Sequence, residues 1–178
     1  MMHSREVRLS NMHEDGADNH NAGVVAFLRY MMTPEEQQRP RFAPVLRMIG
    51  DVKMGELRVH PDLVERLVAL DGPDGEQRLR MLMGAAVLVA KSGAAYAFAY
   101  SQTFLAVRIP SDAAEALGSS ARLKPVAKSE GEARARQPQE RVDALGPGWT
   151  LLEPWNAPVA ELRTAVRNAH AFADANLV

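Results

Sequence analysis

Residues 81–109 constrain this chain more than any other stretch, because three apolar segments follow one another with only two short polar breaks between them. Residues 81–90 run from Met81 through Gly84 and Val87 to Ala90 without a charge. Lys91-Ser92-Gly93 has the chemistry of a tight turn. Residues 94–100 then alternate alanine with Tyr96, Phe98 and Tyr100, Ser101-Gln102-Thr103 turns the chain again, and residues 104–109 close with Phe104, Leu105, Val107, Arg108 and Ile109. Short apolar runs bounded by turn residues, two of them with a period of two, are strands that must pair with neighbours. The stretch predicts three antiparallel strands joined by two tight turns.

Helices are predicted on either side of this unit. His60-Pro61-Asp62 opens one, with proline at the first position and an acid where the helix dipole favours it. Its buried side is Leu63, Val64, Leu67, Val68 and Leu70, and Asp71-Gly72-Pro73-Asp74-Gly75 ends it. Pro110-Ser111-Asp112 starts a short helix that stops at Gly118. A short strand is expected near residues 122–127 and a last one at 149–153, between Trp149 and Pro154. From Pro158 a long helix runs to about Asn176, its buried side built from Val159, Leu162, Ala165, Val166, Ala169, Phe172 and Ala173. The sum is an α+β fold of two layers, an antiparallel sheet of about five strands with helices on one face.

Residues 1–59 form an N-terminal extension, with a polar, aperiodic start expected to be disordered and a helical part after it. Val24, Val25, Phe27, Leu28 and Met31 predict an amphipathic helix over 22–32. Thr33-Pro34-Glu35-Glu36 has the pattern of a capping box, residues 43–49 fit a further short turn of helix, and 51–59 an irregular segment or short strand. Residues 128–147 are rich in Arg, Lys, Glu, Pro and Gly and predict a mobile loop inside the second unit, residues 60–178.

Composition sets limits on function. A chain of 178 residues holds one ordinary domain, and a formal net charge of −1 gives no reason to expect a polyanionic partner. The basic residues of the loop, Arg122, Lys124, Lys128, Arg134, Arg136 and Arg141, are nearly balanced by acids, so a solvated loop outranks a nucleic-acid contact. The chain has no cysteine, which removes thiol catalysis and fits a reducing cytoplasm. The longest apolar run is about half a membrane span, and the N-terminus lacks the pattern of a secretory signal. His3, His13 and His20 do not have metal-ligand spacing. His60 and His170 read as a helix cap and an exposed helix residue. No nucleophile, base and acid constellation stands out, so neither a catalytic residue nor a cofactor or metal site is assigned.

From residue 60 onward, about two thirds of the chain, the order of motifs resembles the N-terminal domain of TfoX-type proteins, which shares its plan with YjbR proteins. Leu63-Val64-Glu65-Arg66-Leu67 is similar to the first helix of that family, and Arg80-Met81-Leu82-Met83-Gly84 stands in the place of its glycine motif. Gly93 matches the turn, Val107-Arg108 the strand end and Gly148-Trp149 the last strand. Leu82 and Met83 replace the usual aromatic residue and first glycine, and the loop before Gly148 is an insertion. The resemblance implies a secretion-chaperone-like arrangement, α-β3-α-β2-α, in which Gly84, Gly93 and Trp149 are structural. It also implies an interaction module associated with regulation of competence, not an enzyme.

Strand alternation puts Tyr96, Phe98 and Tyr100 on one face and Ala95, Ala97 and Ala99 on the other. If the alanines meet the helices, the aromatics, with Phe104 and Arg108 of the next strand, form an open apolar surface for a protein partner or a second copy of the chain. If the aromatics are core, that surface does not exist; the alternation leaves both readings open. Trp149 and Trp155 read as core or edge residues, with binding as the lesser reading. The expected function is a cytoplasmic, non-enzymatic interaction or regulatory module. The alternative is a small-molecule binding protein or enzyme with a pocket between the sheet and the N-terminal helices.

Overall fold

In a computed structural model of the chain, the described residues are 21–31, 48–49, 52–53, 58–82, 84–118, 120–122, 145 and 148–175. They build an α+β fold on a five-stranded antiparallel sheet. In chain order the elements are α1 (Ala22–Met31), β1 (Met48–Ile49), β2 (Val52–Lys53), α2 (Pro61–Asp71), α3 (Gly75–Arg78) and β3 (Leu79–Leu82). There follow β4 (Ala85–Val89), β5 (Ala95–Tyr100), β6 (Phe104–Arg108), α4 (Ser111–Ala116), β7 (Trp149–Leu152) and α5 (Val159–Ala175). Strands β3 to β7 lie side by side in chain order, while β1 and β2 form a separate antiparallel pair. Met48 and Ile49 are thus strand, not the end of a helical turn. The capping-box segment at 33–36, the first twenty residues and the loop at 128–144 lie outside the described residues.

The apolar run over 81–90 is not one strand. Gly84, at φ +82°, turns the chain so that Leu82 pairs with Ala85 and Met81 with Ala86. The middle of the chain therefore supplies four strands, and β7 is the fifth. Of the strand expected near 122–127, Arg122 makes an isolated bridge to Leu152, and the residues after it are outside the described set.

Helix α2 begins as its sequence predicts, because His60 Nδ1 accepts the Asp62 backbone N–H at 3.2 Å and Pro61 takes the first helical position. It ends at Gly72, whose N–H reaches the Val68 carbonyl at 3.3 Å. Leu63, Val64 and Leu67 of α2 and Leu162, Ala165, Val166 and Ala169 of α5 share one core with Leu88, Ala97, Ala99, Leu105 and Val107 of the sheet. The alanines on both sides let α5 approach the strands closely. Each fully buried leucine or valine here contributes about 1.5–3 kcal/mol of transfer free energy. Two residues of the predicted helical face depart from it: Val159 is 44% exposed and Phe172 is half-buried.

The second face of the sheet is not open. Val24, Phe27 and Leu28 of α1, with Leu145, cover Val87, Phe98, Tyr100, Phe104, Ala106 and Leu151. The Phe27 ring lies 5.2 Å from those of Phe98 and Phe104 and 6.0 Å from that of Tyr100, centroid to centroid. Asn21, just before α1, fixes the docking: its Nδ2 donates to the Gly93 carbonyl at 2.8 Å and its Oδ1 accepts the Ala95 N–H at 2.7 Å. Helix α1 thus closes the second face of the sheet.

A β-bulge breaks the alternation of β5. Leu88 pairs with Ala97 and Val89 with Ala95, which leaves Tyr96 as the extra residue. Tyr96 and Ala97 consequently both belong to the core under α2 and α5, whereas Ala95 and Phe98 face α1.

Candidate functional site

The residues predicted to form an interaction surface do not lie on one open face. Phe98, Tyr100 and Phe104 share the face under α1 and are all buried. Arg108 is half-buried at the end of β6, with Trp149 opposite it in register. Tyr96 is on the other side of the sheet, so its assignment to that surface is corrected by the bulge. The space between the sheet and α1, where a pocket was the alternative, is occupied by the Phe27 aromatic cluster. Gly84 and Gly93 both have positive φ at turns, and Trp149 is buried.

Instead of a binding surface, Tyr96 enters a polar hub that the sequence reading did not identify. Its hydroxyl donates to Asp71 Oδ1 at 2.9 Å, and Arg78 Nη1 donates to Asp71 Oδ2 at 2.8 Å. The Asp71 side chain is 1% exposed, so these two donors satisfy a carboxylate that would otherwise be costly to bury. The His170 ring of α5 stacks on Tyr96 at 4.8 Å, and His170 Nε2 is 3.3 Å from Asp174 Oδ2. Burial, then the charge and hydrogen bond of Asp71, hold the Tyr96 phenol far above its ordinary pKa. Partial burial opposes the charge on Arg78, but the hydrogen bond and charge of Asp71 outweigh it and raise its pKa. A phenol kept protonated in this way is a hydrogen-bond donor that ties β5 to the end of α2; it is poorly suited to act as a base.

An open groove lies elsewhere, between α2, α5 and the turn that follows β7. Asp62, Glu65, Arg66, Ala69 and Leu70 form one wall, Val159 and Arg163 the other, and Trp155 lies at its edge; the cavity volume is about 310 Å³. Asp62, Glu65, Arg66 and Ala69 recur at helical spacing on the side opposite Leu63, Val64 and Leu67, while Leu70 is buried with the core and forms the floor of the groove. Val159 and Arg163, one turn apart, do the same on α5.

Trp155 is held in place although it is exposed. The Glu153 carboxylate accepts the backbone N–H groups of Trp155 at 3.3 Å and of Asn156 at 2.9 Å. Trp155 Nε1 donates to the Gln102 carbonyl at 3.0 Å, in the β5–β6 turn. Arg66 Nε donates to the Pro154 carbonyl, and the Arg66 guanidinium lies 5.6 Å from the Trp155 ring centroid. Even so, 37% of Trp155 remains exposed. Trp155 and Val159 are the large hydrophobic residues left exposed among the described residues, and both line this groove. The sequence predicts a core or edge role for Trp155 with binding as the lesser one; its place between Pro154 and Pro158, outside a regular element, is the signal for binding.

Among the described residues there is no group of three or more His, Asp or Glu side chains arranged to hold a metal ion. No helix among them is long and apolar enough to cross a membrane. No family model matches the chain, and comparisons with curated proteins and with solved structures likewise give no match. The fold and the groove therefore describe an α+β domain with a preorganised, partly apolar surface.

Proposed function

We propose that this protein is a non-enzymatic interaction or regulatory module that docks a partner protein on the groove beside Trp155. The observation that carries the reading is the coincidence of Trp155 and Val159 in one groove, with Trp155 already immobilised by its own hydrogen bonds. Tryptophan and arginine are the side chains most often found at the energetic centre of protein interfaces. An anchor fixed before binding loses little conformational entropy when it is covered. The likeness of residues 60 onward to TfoX N-terminal domains supports the same reading. The interaction site is thereby moved from the sheet face, which α1 covers, to the outside of the helix layer.

A photo-crosslinking residue placed at Val159 tests the proposal in the full chain, with the same residue at exposed Lys91 as control. Discrete protein adducts from position 159, absent from position 91, are the expected result. No adduct from 159, or the same adducts from both positions, would overturn it.

A further inference from the structure

We infer that the occupant of the groove is an amphipathic α-helix of a partner protein, carrying a large apolar side chain and, one turn along, a single carboxylate. This inference rests on the reading of the groove as a docking site and names the chemistry of what docks. The first argument concerns backbone. Both walls are helices, α2 and α5, and away from its ends a helix has its main-chain N–H and C=O groups paired internally. Such walls offer no edge on which an extended segment could build a ladder. A docking helix needs none, because its own backbone is already satisfied and only side chains are buried. Ala69, small and exposed on the α2 wall, leaves room for it above Leu70.

The second argument is the charge that the groove leaves uncommitted. Glu65 already has an interaction within the chain. Arg66 donates to the Pro154 carbonyl and lies against Trp155, and Asp62 Oδ2 is 3.8 Å from His60 Nδ1. Arg163 differs: among the described residues it has no hydrogen bond, ion pair or ring contact. It follows Val159 by one turn of α5, and helical side chains lean towards the helix N-terminus, so Arg163 leans towards the exposed apolar surface of Val159. A cation beside an apolar centre is matched by an apolar side chain with a carboxylate about 5–6 Å away, the spacing of residues three or four apart on a helix. Asp62 and Glu65 limit the partner to one such carboxylate, because a run of acids would meet them with like charge.

A library of random peptides displayed on phage, selected on the full chain, tests the inference. Peptides selected by the wild type should share an apolar residue with Asp or Glu three or four positions from it, and should gain helical circular dichroism on binding. Selection on Arg163→Glu should replace that acid with Lys or Arg. A wild-type-selected peptide, made synthetically, should bind Arg163→Gln about tenfold more weakly. Changing its acid to the amide should weaken binding to the wild type by a similar factor, and binding to Arg163→Gln much less. Positions 159 and 163 are both exposed on α5, so these substitutions leave the core intact.

Peptides that lose affinity in Val159→Ser but carry no acid at that spacing, or bind without becoming helical, overturn the inference and leave the docking reading standing. So do peptides selected equally by wild type and Arg163→Glu. A chain that light scattering finds at twice 19.5 kDa, and at 19.5 kDa once Val159→Ser is made, has a second copy in the groove and overturns the inference as well. Failure to select any peptide whose binding depends on Val159 also overturns it, and the absence of adducts from position 159 would then remove the docking reading with it.

Discussion

The Tyr96 hydroxyl donates to Asp71 Oδ1 at 2.9 Å because one extra residue in β5 turns its ring away from Phe98 and Tyr100 and under α5. That single bulge decides what the aromatic strand does. Without it, all three rings would share one face. With it, one ring orders a buried carboxylate and two join the cluster beneath α1.

Replacing Tyr96 with Phe should cost about 1–3 kcal/mol at neutral pH, since Asp71 loses one of its two donors while remaining buried. The pH dependence has a definite sign. The folded-state pKa of Tyr96 is raised above its ordinary value of 10.0, so the unfolded chain releases the proton first. The stabilisation is complete below pH 10 and declines as the pH rises above it. Urea unfolding between pH 8 and 11 should show that decline in the wild type and a shallower one in Tyr96→Phe. Equal slopes in the two proteins would contradict the assignment.

Asp71→Ala should be more damaging, because it takes the acceptor from the Tyr96 phenol and leaves Arg78 only the longer contact to Asp74, at 3.6 Å. Removing one partner of a well-buried ion pair costs about 3–5 kcal/mol, and the partial exposure of Arg78 places this case at or below the lower end. A double-mutant cycle with Arg78→Ala should give a coupling of about 1 kcal/mol or more. Strict additivity would show that the two side chains act independently.

Phe27→Ala removes the ring that touches Phe98, Tyr100 and Phe104 together. The expected loss is about 3–5 kcal/mol, as for other buried phenylalanines. Binding of an apolar dye should rise as the sheet face is uncovered. A loss below about 0.5 kcal/mol, the range of ordinary surface changes, would mean that α1 does not seal this face.

Gly84→Ala should cost more than Gly93→Ala. Both glycines have positive φ, but a Cβ at Gly84 would lie 3.0 Å from Arg58 Cγ and 3.1 Å from the Arg58 backbone nitrogen, whereas nothing lies within 4 Å of one at Gly93. Backbone strain of about 1–2 kcal/mol is common to both, and crowding is added only at Gly84. Unfolding midpoints of the two variants give the comparison directly.

Much of the fold was legible because local chemistry and burial agree. The Pro61 start and Gly72 end of α2, the period of α5 and the turn at Gly93 all follow from residues that have few other uses. Gly84 reads as part of a strand since its neighbours are apolar, and only its positive φ reveals the hairpin. The bulge at Tyr96 was hidden for a different reason: an alternating Ala-Tyr-Ala-Phe-Ala-Tyr pattern looks regular, and pairing with β4 inserts the irregularity. Asp71 reads as a helix stop because its two donors come from other elements, Arg78 from α3 and Tyr96 from β5. Trp155 and Arg66 meet only after β7 and α2 have been placed, so their groove has no contiguous sequence signature.

The occupancy of that groove can be measured through Trp155 itself. The chain has two tryptophans, and Trp149 is buried, so a Trp149→Phe variant reports on Trp155 alone. Iodide quenching of its fluorescence should be strong in the purified chain and fall when a protein cross-linked through position 159 is added back and covers the ring. Quenching that stays equally strong with that protein bound would contradict the account.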